Sequence, residues 1–135
     1  MDSEGTVPHG MTRLRAAGSA DATFARLEAA VATRGLTVFA RIDFAADAAA
    51  AGLVLRSTRM LLFGNPRAGT PLIVAAPTVA LDLPLKVLVW EGEDGTVWVG
   101  YDRPEYLAER HGVPPELLAN IRAVESLAAI AAGPA

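Results

Sequence analysis

MLLFGNPRAGTPLIVAAPTVALDLP, residues 60–84, is the stretch around which the rest of the chain is arranged. An apolar run stops at Gly64-Asn65-Pro66, resumes after Gly69-Thr70-Pro71, and stops again at Pro77 and at Asp82-Leu83-Pro84. Proline fixes φ and removes a donor, and glycine accepts backbone shapes that other residues avoid. Breaks this dense predict a rigid, irregular crossing between two strands.

On the far side of the crossing, residues 85–91 and 96–101 read as two strands separated by Gly92-Glu93-Asp94-Gly95, and Asp-Gly between alternating apolar runs is a strong hairpin signal. Trp90 and Trp98 flank that turn, so cross-strand packing is their expected role. On the near side, residues 59–63 form a short buried strand that enters Gly64. Further back, residues 36–43 alternate, with Leu36, Val38, Ala40 and Ile42 pointing one way and Thr37, Phe39 and Arg41 the other. Between these two strands lies an alanine-rich segment, residues 45–52, which is too short to hold a helix without packing. Residues 11–17 read as a first strand with Met11, Leu14 and Ala16 inward. Ser19 or Asp21 then caps a helix that buries Phe24, Leu27 and Val31 and ends at Gly35. After the hairpin, Asp102 is placed to cap a helix with Pro104 in its first turn, running to His111-Gly112. A last helix from Pro114 carries Leu117, Ile121, Val124 and Leu127 near one face.

The composition narrows the chemistry. At 135 residues one core is enough, and with 52% hydrophobic but only 6% aromatic residues that core is aliphatic and alanine-rich. No cysteine is present, so disulfides, thiolate nucleophiles and thiolate metal sites are excluded. A net charge of −3 with dispersed arginines argues against nucleic acid. No apolar run reaches the roughly 18 to 20 residues that span a bilayer, and residues 1–9 lack the pattern of a secretory leader. The expectation is a cytoplasmic protein with no membrane partner and a flexible N-terminus over residues 1–9. Two histidines in unlike settings, His9 and His111, assemble neither a metal cluster nor a Ser-His-Asp triad.

Gly64 to Thr70 has the glycine spacing of a phosphate loop after a strand. It lacks the lysine that follows the second glycine, and Pro66 removes an N–H donor. A weaker anion site arises if Thr70 is an N-cap and Pro71 the first helical residue, because the orphan N–H groups would then act with Arg67. The plainer alternative is that Thr70 only caps and the glycines only turn the chain. Asn65 precedes a proline and can tie the loop together with its amide. Lys86 is the sole lysine and sits near the start of a buried strand, where a desolvated amine could form imines or anchor an anion. A snorkelling Lys86 is the alternative. Asp82 most simply braces the turn before it, while Asp43, Tyr101 and Asp102 end strands.

FARLEAAVATRGLTVFARID, LLFGNPRAGTPLIVAAP and LDLPLKVLVWEGEDGTVWVGY together resemble the domain-of-unknown-function 302 family, across residues 10 to 125. Gly64-Asn65-Pro66 with Gly69-Thr70-Pro71, followed by Asp82-Leu83-Pro84 and Lys86, is the specific part. The resemblance implies an α+β fold in two layers, a mixed or antiparallel sheet of about four to five strands backed by helices. It places a single domain over residues 10–131, usually as a homodimer, and supplies no reaction. Relatives often carry a histidine after Arg-Ile-Asp where this chain has Phe44, which lowers the expectation of catalysis or metal binding.

The leading expectation is a non-catalytic, dimeric small-molecule- or anion-binding or accessory domain that uses Asn65, Arg67, Gly69, Thr70 and Lys86. One alternative is an enzyme using Lys86 with Asp82 or Asp43. Another is a structural or protein-interaction module whose exposed helix surface, at Ile121 and Ile130, docks a partner.

Overall fold

The computed structural model describes residues 6–134. Five strands, β1 (Met11–Arg15), β2 (Thr37–Asp43), β3 (Thr58–Gly64), β4 (Leu85–Glu91) and β5 (Val97–Asp102), form one antiparallel sheet in the order β1-β5-β4-β3-β2. Helices α1 (Ala20–Thr33), α2 (Phe44–Ala50), α3 (Pro66–Ala75), α4 (Pro104–His111) and α5 (Ala123–Ala132) are joined by two 3-10 segments, Pro77–Asp82 and Pro115–Ile121. This is the expected two-layer α+β fold.

The core lies between the sheet and α1 with α5. Phe24, Leu27 and Val31 of α1 and Val124, Leu127 and Ala128 of α5 are buried together with Leu61, Phe63, Val87, Val89, Val97 and Val99 from the central strands. The strand residues alternate, as a sheet with helices on one face requires. Helix α1 starts as read: Ser19 accepts from the Ala22 N–H at 3.1 Å, and Gly35 takes a φ of +67° just beyond the helix end. The hairpin also forms as read, with Glu91 opposite Val97, Trp90 opposite Trp98, and Gly95 at a φ of +84° in the turn.

Several local expectations fail for physical reasons. Strand β2 does not keep one alternation, because Val38 pairs with Phe63 and Ala40 with Leu62, leaving Phe39 as an extra, bulged residue. Val38 therefore packs on the core side, while Ala40 and Ile42, opposite Leu62 and Met60, share the other face. In β1, Leu14 and Ala16 pack against the core, but Met11 covers Gly100 on the other face. Helix α2 buries no residue fully, but it packs on β3 with Ala45 and Ala48 half-buried, and its cap, Asp43, accepts from the Ala46 N–H at 2.9 Å. Asp102 does not cap α4, whose N-cap is Arg103, and the last helix is split, with a 3-10 segment ahead of α5. Ile121 is buried in that segment, so of the two residues expected to dock a partner only Ile130 is exposed.

Residues 1–5 of the N-terminal segment expected to be flexible lie outside the described residues. Within that segment the His9 ring packs edge-on against Tyr106 with centroids 5.3 Å apart, and the Met11 N–H donates to the Pro8 carbonyl at 3.1 Å.

Candidate functional site

The crossing between β3 and β4 is the irregular, proline-punctuated segment expected, but its helix begins earlier. Asn65 is the N-cap of α3, its side chain accepting from the Arg67 N–H at 3.0 Å, and Pro66 occupies the first helical position. Thr70 and Pro71 lie inside the helix. Two cap-then-proline pairs compete in this sequence, and the first wins because Asn65 follows directly from the strand. The anion site expected at a Thr70 cap is consequently not formed.

Helix α3, the 3-10 segment 77–82 and the start of β4 enclose a cleft of about 310 Å³. Asn65, Ala68, Gly69, Thr70 and Ile73 line it from α3 and its cap, Ala80, Leu83, Pro84 and Leu85 from the segment that follows, and Phe39 and Asn120 complete the lining. Most of the lining is apolar. Three polar side chains reach it. Asn65 uses its oxygen on the Arg67 N–H, which leaves its amide N–H₂ to donate. Asn120 donates to the Ala68 carbonyl at 3.1 Å, which leaves its own oxygen to accept. The Thr70 hydroxyl completes the set.

Of the residues expected to bind ligand, Asn65, Gly69 and Thr70 come together here, whereas Arg67 and Lys86 are not among the lining residues. Arg67 is exposed. Lys86 pairs with Leu62 across the sheet and donates to the Asp82 and Pro84 carbonyls at 3.2 and 3.1 Å. Its ammonium is thus committed to the turn, which argues against an imine-forming amine. Asp43 pairs with Arg59, in register with Val89 on β4 and three residues along from Lys86, so Asp43 and Lys86 do not converge. Phe39 and Asn120 were missed by sequence reasoning. The β2 bulge brings the first to the cleft, and a 3-10 segment distant in sequence brings the second.

A second polar cluster joins the end of the crossing to the end of α4. Asp82 accepts from Arg110 at 2.8 Å and from His111 Nε2 at 2.5 Å, and the other ring nitrogen of His111 meets Thr78 Oγ1 at 2.8 Å. Asp82 braces the turn as expected, but through side chains that the sequence keeps far apart. Nearby Asp102 has its pKa raised, first by burial and then by the Asp82 carboxylate, with Lys86 and Arg110 opposing. A carboxyl whose folded-state pKa is raised binds its proton more tightly when folded. Stability then increases as pH falls through that pKa, and the charged form is a cost above it. Asp102→Asn is therefore expected to raise the urea midpoint at pH 7. That gain should vanish in titrations below the ordinary carboxylate range.

The profile of the family described as "Domain of unknown function DUF302" matches residues 12–130. The chain belongs to the DUF302 family. A crystal structure titled as an uncharacterized conserved protein DUF302 from Bacillus stearothermophilus superposes with a TM-score of 0.75 at 20% identity, covering 92% of this chain and 96% of that one. At that identity the likeness speaks for the DUF302 fold alone. Two curated relatives are named fluoride-specific ion channels. FluC 1 of Brucella suis biovar 1 (strain 1330) is 37% identical over 107 residues, which is 79% of this chain and 42% of the relative. FluC 2 of Brucella melitensis biotype 1 (strain ATCC 23456) is likewise 37% identical over 107 residues, 40% of its length. The DUF302 chain thus spans about two-fifths of the length of these relatives. Among its described residues no helix is long and apolar enough to cross a membrane.

Proposed function

We propose that this DUF302 domain is an accessory domain whose cleft beside Gly69 binds, without transforming it, a small, mostly apolar, uncharged molecule with a polar end. The observation that carries this reading is the cleft's lining: an apolar wall with one free amide donor at Asn65 and one free acceptor at Asn120. With Arg67 and Lys86 turned elsewhere, the lining suits a neutral ligand better than the anion expected from sequence. Gly69 adds support. It sits inside α3 without a positive φ, and a Cβ built there meets only Leu83 Cδ1 at 3.8 Å. Nothing in the fold requires glycine at this position, yet it costs helix stability, which is the pattern of a backbone kept bare for a ligand.

Gly69→Ala is expected to stabilise the fold by about 0.5 to 1 kcal/mol in urea denaturation and to weaken ligand binding. Binding is measured by thermal shift with matched neutral and charged fragments such as benzyl alcohol and benzoate. A neutral fragment at ten times its dissociation constant should add about 1.4 kcal/mol. Stabilisation by benzoate alone, or equal responses from wild type and Gly69→Leu, would overturn the reading.

The working unit proposed is a cytoplasmic homodimer. Its support is the sheet face opposite α1 and α5, where Met60, Leu62, Leu88 and Trp90 lie in register with one another or with neighbouring strands and stay half-buried. Sedimentation at micromolar concentration checks this, and a monomer there would count against it. The names of the Brucella relatives favour a more specific accessory role, as a ligand-responsive part of a membrane transport protein. Deleting the matching segment from such a relative and measuring fluoride flux in vesicles tests it; unchanged flux with and without a cleft-binding fragment would rule it out.

A further inference from the structure

Thr78, His111 and Asp82 form a continuous chain of hydrogen bonds outside the cleft's lining. Asp82 Oδ2 receives both Arg110 and His111 Nε2, and a carboxylate paired with a guanidinium can only accept. His111 Nε2 therefore carries the ring proton. In the neutral ring Nδ1 then keeps its lone pair, and Thr78 Oγ1, 2.8 Å away, is the donor. The imidazole side chain is only 4% exposed, which fixes its orientation, while Thr78 itself is exposed. An accessible hydroxyl donating to a buried imidazole, itself oriented by a carboxylate, is the arrangement that activates an alcohol as a nucleophile.

We propose that Thr78 is an acyl-accepting nucleophile with His111 as its base and Asp82 as a positioning residue, and that its substrates are small activated esters. Thr78 Oγ1 bonds to the ester carbonyl carbon while its proton passes to His111 Nδ1. The imidazolium formed is held through Nε2–H by Asp82. Collapse of the tetrahedral intermediate breaks the bond to the leaving oxygen, which takes the proton from Nδ1 and departs as the alcohol. A water then attacks the Thr78 ester, passes a proton to Nδ1, and releases the carboxylic acid as Thr78 recovers its own. One ester and one water give one acid and one alcohol, with no oxidant, reductant or metal required. Thr78 is exposed and is not among the residues lining the cleft, so it offers no apolar pocket that would favour a long acyl chain.

The full chain is incubated with p-nitrophenyl acetate, phenolate release is followed by absorbance, and the acetyl group is located by peptide mass mapping. Acetylation at Thr78 is expected. Thr78→Val should lower phenolate release about 100-fold at unchanged melting temperature, and Thr78→Ser should retain it. Asp82→Asn, which leaves the ring free to take the wrong tautomer, should slow acetylation even where the melting temperature is matched by adding osmolyte. Wild-type release by Thr78→Val would overturn the proposal. So would an acetyl group found only on Lys86, on His111 or at the amino terminus. A Thr78→Ser protein that folds and does not react would also overturn it.

Discussion

Phe24→Ala is expected to cost about 3 to 5 kcal/mol, the largest loss from any single substitution considered for this fold. Phe24 is 1% exposed and sits on the face of α1 that meets the central strands, where Leu27 and Val31 are fully buried beside it. The Arg59 guanidinium lies over its ring with 4.1 Å to the centroid, so truncation removes both the apolar area and the surface on which that cation rests. The core is aliphatic and alanine-rich, and small side chains have little reach with which to refill a phenyl-sized void. Domains of this size have roughly 5 to 15 kcal/mol to lose, so the variant should be partly unfolded at 37 °C. Urea denaturation monitored by circular dichroism measures it. A loss under 1 kcal/mol at unchanged slope would mean that α1 is not docked on the sheet as described.

Arg26→Met should destabilise by about 2 to 3 kcal/mol even though the methionine keeps most of the apolar stem. The guanidinium donates through Nε to the Ala131 carbonyl at 2.9 Å and through one terminal nitrogen to the Ala17 carbonyl at 2.6 Å and the Thr23 hydroxyl at 3.3 Å. Those bonds tie the start of α1, the end of β1 and the last turn of α5 together. A helix end leaves carbonyls without partners, and Arg26 supplies a charged donor to one of them. Gly133, at a φ of +80° beyond α5, lies against the same guanidinium, so the helix end and the arginine are fitted to each other. Hydrogen exchange should show the loss first in the amides of α5. Uniform loss across the sheet instead would place the role of Arg26 elsewhere.

What could be read from the sequence follows the range of each signal. The hairpin around Asp94-Gly95 and the capped helix from Ser19 are local patterns, and both formed where they were expected. The bulge at Phe39 has no local signature: every second residue from Leu36 to Ile42 is apolar, and only pairing with β3 shows the slip. The start of α3 was ambiguous because Asn65-Pro66 and Thr70-Pro71 are equally good openings, and the choice depends on where the preceding strand releases the chain. The cleft was half visible. Asn65, Gly69 and Thr70 come from one punctuated segment, whereas Asn120 and Phe39 arrive from distant elements. The chain from Thr78 to His111 to Asp82 was out of reach, since 33 and 29 residues separate its bonded pairs.

The cleft beside Gly69 is tested most directly by titrating isotope-labelled protein with uncharged amphipathic fragments and following each backbone amide by NMR. Shifts concentrated in residues 64–70, 83–85 and at Asn120, saturating at millimolar ligand, are the predicted result. Saturable binding whose shifts fall elsewhere, or no binder in a library of several hundred such fragments, would contradict it.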